Sequence, residues 1–312
     1  MLNNIILHLK CLKCGSHLGA YQYKLAKYNC SSCGQVYHAV DGILDFIGGG
    51  QGKGNVLEHE RLSSFATHSL GIDFNPRLEA LLHDYSLSGN SKINYDLSGN
   101  ADGCERASML LDVGCGYGSL LEQAAIKFKV LVGVNIDLEE LRVCNRLLQE
   151  KGISNPILIC ASAQNMPFMP AQFPAITCVS VMEHVGDPKN VLNQLKLMLK
   201  PQGRLYLGIP NRFSLRTDYH TGLPWIGFLP AGLGGKYASL RGKSQEYQGL
   251  NWFSLKDVET LLTSEFGSQY LFIRSGVHKS WLGQLALKVW EVPVLSALGR
   301  RLISEFEIIA WA

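Results

Sequence analysis

The chain has 312 residues, of which 46% are hydrophobic and 18% are charged, and its formal net charge is +3. This length predicts one large domain, or one domain with a small appendage, and provides enough residues for a large buried core. The ordinary composition excludes collagen-like repeats and coiled coils, and a net charge of +3 is too small to indicate nucleic-acid binding by itself.

Four of the nine cysteines form two Cys-x-x-Cys pairs in a small N-terminal unit, residues 1–47. They are Cys11, Cys14, Cys30 and Cys33, with fifteen residues between the pairs. This spacing predicts a structural zinc ribbon, in which four thiolates close a tetrahedral site and leave no position for water. Iron or two disulfides are the alternatives. The other five cysteines are single, which favours a reducing compartment.

A cytoplasmic location agrees with two further features of the sequence. No stretch reaches the roughly 18 apolar residues of a membrane span, and the N-terminus lacks a secretory signal pattern. A glycine-rich joint follows at residues 48–54. Helical patterns at 56–69 and 76–85 then predict a connector, so that residues 48–104 separate the ribbon from a domain at 105–312.

From residue 108 onwards, short apolar strands alternate with helical patterns. Strands are predicted at 108–113, 130–134, 156–160, 176–181 and 205–209, and helical stripes at 120–128, 138–148 and 191–199. This alternation predicts a doubly wound α/β fold with a parallel sheet. Residues 211–251 show no clear periodicity. A helix capped by Ser254, a strand at 269–274, a helical stripe at 282–290 and a strand at 304–310 complete the prediction.

A glycine turn closes the first of these strands and opens a helix. Asp112 is followed by Gly114, Gly116 and Gly118. Glycines allow a ligand to approach the backbone closely, and the helix start presents free N–H groups. The G-x-G-x-G spacing offers less to a diphosphate than G-x-G-x-x-G does, and it suits a zwitterionic ligand that carries an amino acid. The alternative is a purely structural turn.

Four ordered segments resemble motifs of the class I S-adenosylmethionine-dependent methyltransferases. They are LDVGCGYG at 111–118, VGVNID at 132–137, AQNMPF at 163–168, and VMEHV at 181–185 with its continuation to 211. The resemblance covers residues 108–211 well and residues 252–312 by pattern only. It implies a Rossmann-like sheet of seven strands with one antiparallel strand, for which 304–310 is the candidate.

The resemblance also implies a cofactor site for S-adenosylmethionine. In it Asp112 would orient the amino group, Asn135 stands where an acidic residue usually grips the ribose hydroxyls, and Ser162 stands where an Asp usually binds the adenine amine. These departures keep a non-catalytic copy of the fold open as an alternative. The implied cofactor-binding residues are Asp112, Gly114, Cys115, Gly116, Gly118, Asn135, Ile136, Ser162 and Ala163.

Candidate catalytic residues lie beyond the fourth strand and in the 211–251 segment, where the fold often carries an acceptor lid. An oxygen acceptor needs a base, and His184, next to Glu183, has a suitable side chain; the alternative is that the pair only braces the next helix. His220 is the second candidate, or a loop histidine satisfied by backbone. Some related quinone O-methyltransferases hold magnesium here, but Ser180 replaces their third ligand, so magnesium is not predicted.

The sequence therefore favours methyl transfer to a small amphipathic acceptor such as a lipid, a glycan or a secondary metabolite. One rival is an RNA base methyltransferase that reads RNA with its ribbon, but residues 1–60 balance to only +1, which argues against nucleic acid. The other is a catalytically inert scaffold.

Residues 281–290 with Arg300 and Arg301 predict a helix packed on the sheet or at a dimer interface, with peripheral membrane contact as the alternative. Oligomeric state stays open.

Overall fold

A computed structural model describes residues 7–22, 25–48, 74–82, 107–215, 217–273 and 302–312. The predicted helices at 56–69 and 282–290 lie outside these residues, as does most of the glycine joint. The described strands are β1 His8–Lys10, β2 His17–Ala20, β3 Lys27–Asn29, β4 Val36–Val40, β5 Ile43–Asp45, β6 Ala107–Val113, β7 Phe128–Asn135, β8 Ile157–Cys160, β9 Phe173–Val179, β10 Leu199–Pro210, β11 Tyr270–Phe272 and β12 Glu305–Trp311.

The described helices pack on both faces of a central sheet. They are α1 Asn75–Leu82, α2 Ser119–Ala124, α3 Leu138–Glu150, α4 Pro188–Met198, α5 Ala231–Leu240, α6 Ser244–Tyr247 and α7 Leu255–Phe266. Strand β6 alternates between the faces: Leu111 belongs to the apolar core that contains α4 and α7, whereas Leu110 belongs to the core that contains α1, α2 and α3. The α/β fold with helices on both faces is confirmed.

The sheet has the order β11-β12-β10-β9-β6-β7-β8-β5-β4-β3 among the described residues. Its seven strands from β6 to β12 include β12, which runs antiparallel between β10 and β11. This confirms the predicted seven-stranded arrangement and the role of the 304–310 segment. Because β6, β7, β8, β9 and β10 are parallel, their carboxyl ends meet at one edge.

The N-terminal unit extends this sheet. Strand β5 pairs in parallel with β8, matching Leu44 with Ile159 and Asp45 with Cys160. Strands β4 and β3 then continue as an antiparallel meander, while β1 and β2 form a separate two-stranded sheet. Strands β3, β4 and β5 therefore cover the edge of the central sheet that would otherwise expose unpaired backbone groups of β8.

Three predicted elements were wrong in detail. Phe128 was assigned to a helical stripe, but it begins β7, because α2 ends at Ala124. Residues 211–251 contain a 3₁₀ turn and the helices α5 and α6. Helix α5 reads AGLGGKYASL, and its three glycines and short apolar spacing hide the 3.6-residue period from sequence reasoning. Pro201 and Gly203 lie within β10 rather than between elements.

A buried ionic network fastens α1 to the sheet. The Arg77 Nη2 atom lies 2.7 Å from Glu305 Oε2, and Arg77 Nε lies 3.8 Å from Glu307 Oε1. The Tyr206 hydroxyl donates to Glu307 Oε1 at 2.8 Å. Gly208 makes room for this arrangement, since a Cβ there would lie 2.5 Å from Glu305 Oε1. The Arg77 guanidinium therefore forms ion pairs with two carboxylates, those of Glu305 and Glu307.

We expect Arg77→Met to destabilise the protein by about 3–5 kcal/mol, because it leaves two carboxylates without their cation in a buried site. Urea unfolding of the full chain measures this. The matched control is Arg142→Met, which removes an exposed pair with Asp41 and should cost about 1 kcal/mol or less. Equal losses in the two variants would contradict the assigned role of Arg77.

Stability should also depend on the protonation of Glu305. Burial raises its pKa to about 7, with Glu307 adding to the rise and Arg77 opposing it. Because the folded pKa lies above that of the unfolded chain, this carboxyl stabilises the fold fully below about pH 4.5, and the contribution is lost as the pH rises to about 7. Glu305→Gln should flatten this part of the pH–stability curve, whereas Glu150→Gln, at an exposed position, should retain the wild-type slope.

Candidate functional site

The glycine turn lies at the carboxyl edge of the sheet and packs against the segment that follows β9. Gly114, Gly116 and Gly118 have φ values of 76°, 49° and 84°, a region that favours glycine. A Cβ on Gly114 would lie 2.2 Å from Val181 Cγ2, whereas a Cβ on Gly116 would meet no atom within 4 Å. Gly114 therefore permits close packing, and Gly116 faces open space where a ligand could pass.

Asp112 is buried beside the turn. The Thr177 hydroxyl of β9 donates to its Oδ1 atom at 2.7 Å, and burial raises the pKa of Asp112 to about 7. A cationic ligand group would favour the charged carboxylate in such a site. Asp112 is thus suited to receive an ammonium group, which is the role that the resemblance implies for it.

Asn135 ends β7 and donates from its amide to Glu140 Oε2 at 2.5 Å. Burial raises the pKa of Glu140, which belongs to the first turn of α3. Asp137, the other nearby carboxylate, accepts from the backbone of Glu139 and Glu140 as the helix N-cap. Sequence reasoning missed Glu140 because a helical Glu near an N-terminus normally indicates only favourable helix electrostatics.

The remaining predicted cofactor residues lie along the same edge. Cys115 is buried and its backbone N–H donates to Val134. Ile136, which follows Asn135, is 65% exposed. Ser162 accepts from the backbone of Gln164, and Ala163 packs beside it on the main core. The backbone N–H of Ala161 donates to Asn135 at 2.9 Å, which joins the two segments.

The predicted catalytic side chains come together on the other side of the turn. Glu183 is 2% exposed. Its Oε1 atom accepts from the Tyr219 hydroxyl at 2.6 Å and lies 3.6 Å from His220 Nε2 and 4.0 Å from His184 Nε2. The two imidazole rings meet edge to face at 4.7 Å. The two separate sequence predictions, one beyond β9 and one in the 211–251 segment, thus converge on one carboxylate.

Local hydrogen bonds hold this cluster in place. Asn251, which sequence reasoning missed, donates from its side chain to the carbonyls of Met182 and Val185, while its backbone N–H donates to Glu183. Asp218 Oδ1 accepts from the backbone and hydroxyl of Thr221, which fixes the turn that carries Tyr219 and His220. Only a structure reveals these contacts, because they join segments that are distant in sequence.

Electrostatics distinguish the members of the cluster. Burial lowers the pKa of His184, although the charge of Glu183 opposes this. Burial together with the charge of Glu183 raises the pKa of Tyr219 far above its ordinary value. Tyr219 therefore remains a hydrogen-bond donor to Glu183 near neutral pH.

The described part of residues 211–251, a segment that we call the lid, contacts Glu183 through Tyr219, His220 and Asn251 and exposes apolar side chains. Arg212 donates to the carbonyls of Gly227 and Leu229, so it braces the lid internally. The lid residues Trp225, Phe228, Leu233 and Leu240 are exposed. Among the described residues, no helix has the length and apolarity needed to cross a membrane.

The four N-terminal cysteines converge as predicted. Their Sγ atoms all lie within 4.8 Å of one another, with Cys11 and Cys33 at 3.6 Å and Cys14 and Cys30 at 3.5 Å. Four thiolates about 2.3 Å from a zinc ion would stand at similar separations. Each pair is closed by a glycine, Gly15 or Gly34, whose N–H donates to the carbonyl of the first cysteine of its pair.

Comparison with known proteins identifies the central part of the chain. The family model described as a methyltransferase domain matches residues 111–207. Ubiquinone biosynthesis O-methyltransferase of Pseudomonas syringae pv. tomato is 33% identical over 112 residues, which are 35% of this chain and 48% of the relative. Its Chromobacterium violaceum counterpart is 32% identical over 103 residues, 33% of this chain and 44% of the relative. The chain thus spans about half the length of these relatives.

Solved structures give lower similarity over more of the chain. The YcgJ protein of Bacillus subtilis has a TM-score of 0.45 at 16% identity, covering 66% of this chain and 92% of its own. A SAM-dependent methyltransferase of Thermotoga maritima has a TM-score of 0.43 at 16% identity, covering 82% and 95%. The match to a methyltransferase domain is thus confined to residues 111–207, the part of the chain that carries the glycine turn and strands β7, β8 and β9.

Proposed function

We propose that the protein transfers a methyl group from S-adenosylmethionine to a hydroxyl group of a small amphipathic acceptor. The observation that carries the proposal is the direct packing of the glycine turn against Val181, two residues before Glu183. This contact brings a candidate donor site and a candidate acceptor site to one edge of the sheet, where ligands of open α/β folds bind.

On the donor side, Asp112 would receive the amino group and Gly116 would leave room for the methionine part. Asn135 and Glu140 together would face the ribose hydroxyls, since their hydrogen bond places a carboxylate beside an amide. S-adenosylmethionine supplies an activated methyl group when bound. The chain's own residues therefore need mainly to bind and align the reactants.

On the acceptor side, the cluster of Glu183, His184 and His220 would accept the proton that a hydroxyl loses on methylation. His184 is 51% exposed at its side chain and Glu183 only 3%, so His184 is the member that an incoming acceptor meets first. The exposed apolar residues of the lid favour an acceptor with an apolar part. The name of the curated relatives, ubiquinone biosynthesis O-methyltransferase, supports an oxygen acceptor.

For the N-terminal unit we propose a structural zinc ion bound by Cys11, Cys14, Cys30 and Cys33. Four thiolates leave no open coordination position, so this ion would take no part in chemistry. Its role would be to fold a ribbon that holds β3, β4 and β5 on the edge of the sheet.

A binding experiment tests the donor site. We expect the full chain to bind S-adenosylhomocysteine in calorimetry, and Gly116→Leu to weaken this binding at least about tenfold, because the side chain fills the open space at the turn. Gly152→Leu is the matched control: Gly152 also has a positive φ, 75°, and open space around its Cβ position, so it carries the same backbone strain away from the site. If the wild-type chain does not bind S-adenosylhomocysteine at millimolar concentration, the proposed methyltransferase activity is rejected.

Transfer of a labelled methyl group from S-adenosylmethionine then tests the acceptor class. A phenol that carries an apolar tail should be methylated faster than the same phenol without the tail. Faster methylation of RNA than of either phenol would contradict the proposed acceptor.

Cobalt substitution tests the ribbon. We expect the full chain to bind one Co²⁺ with a thiolate charge-transfer absorption, and Cys30→Ser to lose this absorption and to unfold at lower temperature, because metal binding contributes folding free energy. Cys178→Ala, which changes a buried cysteine of β9, should retain the absorption. A thiolate signal that persists in Cys30→Ser would argue against the four-cysteine site.

A further inference from the structure

We propose that the N-terminal ribbon positions the adenine side of the cofactor site, so that binding of zinc and binding of S-adenosylmethionine strengthen each other. This inference rests on the proposed function. The segment concerned is residues 161–166, which follow β8 and which we call the β8 loop. It contains Ser162 and Ala163, two of the residues that the resemblance implies for cofactor binding.

The ribbon is hydrogen-bonded to the chain at both ends of the β8 loop. Before the loop, the backbone N–H of Phe46 donates to the carbonyl of Cys160 at 2.9 Å. After the loop, the backbone N–H of Lys10 donates to the carbonyl of Pro167 at 2.9 Å. The separation of the two loop ends therefore depends on how the ribbon holds Phe46 and Lys10 relative to each other.

A buried glutamine strengthens the second of these attachments. Gln172 is 8% exposed, and its side chain both accepts from the backbone N–H of His8 and donates to the carbonyl of His8 at 2.8 Å. The same amide donates to the carbonyl of Met169 at 2.9 Å. Leu9 forms an antiparallel bridge with Phe168, and both side chains belong to the main core. Strand β1 is therefore paired with the chain that follows the β8 loop.

Both attachments lead directly to the four cysteines. Lys10 immediately precedes Cys11 in the chain. The Tyr37 hydroxyl lies 3.3 Å from Cys11 Sγ and accepts from the backbone N–H of Leu12 at 2.9 Å. The Tyr37 ring packs on the ring of Phe46, with centroids 4.4 Å apart. A metal ion that holds the cysteines together would thus fix both attachment points, because each lies next to a ligand or to a residue that contacts one.

The opposite side of the β8 loop does not depend on the ribbon. Gln164 Oε1 accepts from the backbone N–H of Asp187 at 2.6 Å, and its carbonyl accepts from the Asn190 side chain at 2.9 Å. These contacts hold the middle of the loop at the start of α4. Loss of zinc would therefore release the ends of the loop and leave its middle in place, which predicts weaker cofactor binding rather than loss of the site.

The two binding events are then linked thermodynamically. A structural metal ion contributes folding free energy to the unit that binds it. If S-adenosylmethionine binds better to the ordered loop, it must favour the metal-bound form by the same factor by which the metal favours its own binding.

Equilibrium measurements on the full chain test this coupling in both directions. Calorimetry gives the affinity for S-adenosylhomocysteine with zinc bound and after its removal by a chelator. Competition with a chromogenic chelator gives the affinity for zinc with and without saturating S-adenosylhomocysteine. We expect each ligand to strengthen binding of the other by the same factor, about fivefold or more. The zinc-free chain should retain its helical circular dichroism, because α2, α4 and α7 contact strands outside the ribbon.

Gln172→Ala distinguishes the local link from general stabilisation. It removes the hydrogen bonds to His8 and leaves the cysteines unchanged, so the variant should still bind one Co²⁺ with thiolate absorption, while the coupling factor falls to about twofold or less. Asn193→Ala is the matched control, since it removes an exposed amide hydrogen bond to Glu265 and should retain the full factor. Urea unfolding midpoints show whether each variant is folded; if Gln172→Ala is not, the wild-type measurements alone decide.

Three results would overturn the inference: equal affinity for S-adenosylhomocysteine with and without zinc, loss of the helical signal in the zinc-free chain, or the full coupling factor in folded Gln172→Ala. The failure of the proposed function is distinct from these. If the zinc-loaded chain does not bind S-adenosylhomocysteine at all, the proposed function is rejected together with the inference, whereas binding without coupling rejects the inference alone.

Discussion

The contact between Gly114 and Val181 is the constraint on which the candidate site depends. A Cβ at residue 114 would overlap Val181 Cγ2 at 2.2 Å, a distance that no real packing tolerates. The absence of a side chain lets the turn after β6 lie directly on the segment after β9. Since parallel neighbours place their carboxyl ends at one edge, the two turns are bound to meet there. Glycine determines how closely they meet, and so how short the path is from the candidate donor site to the candidate acceptor site.

Burial of Glu183 organises the candidate acceptor side in the same way. An ionised carboxylate in an apolar surrounding is costly unless polar partners compensate it. The Tyr219 hydroxyl of the lid donates a hydrogen bond to the Glu183 carboxylate. Separately, the backbone N–H of Asn251, at the end of the lid, donates to the backbone carbonyl of Glu183. The lid is therefore attached to Glu183 through Tyr219, near its start, and through Asn251, at its end. This attachment explains why a segment without sequence periodicity has a defined place in the fold.

Sequence reasoning succeeded where one local pattern determined the outcome. The alternation of strands and helices predicted the sheet, Ser254 predicted the start of α7 and forms a capping box with Asp257, and the cysteine spacing predicted the cluster of thiols. It failed where glycine masked a helix, as in α5, and where a contact joins remote segments. Glu305 and Glu307 did carry a signal, since two acids flank Phe306 in an apolar strand. The partner that explains them, Arg77, lies more than 200 residues away in the chain, and no periodicity encodes that distance.

The position of the ribbon connects its folding to the cofactor edge. Asp45 pairs with Cys160, Phe46 donates its backbone N–H to Cys160, and Cys160 pairs in turn with Asn135 across β8 and β7. The end of the ribbon thus lies two strands from the residue that would face the ribose. Leu44 and Ile43 also belong to the cores on the two faces of the sheet. Loss of the ribbon would uncover apolar surface and free an edge strand, so this nearly neutral module is better explained as part of the central sheet than as a reader of nucleic acid.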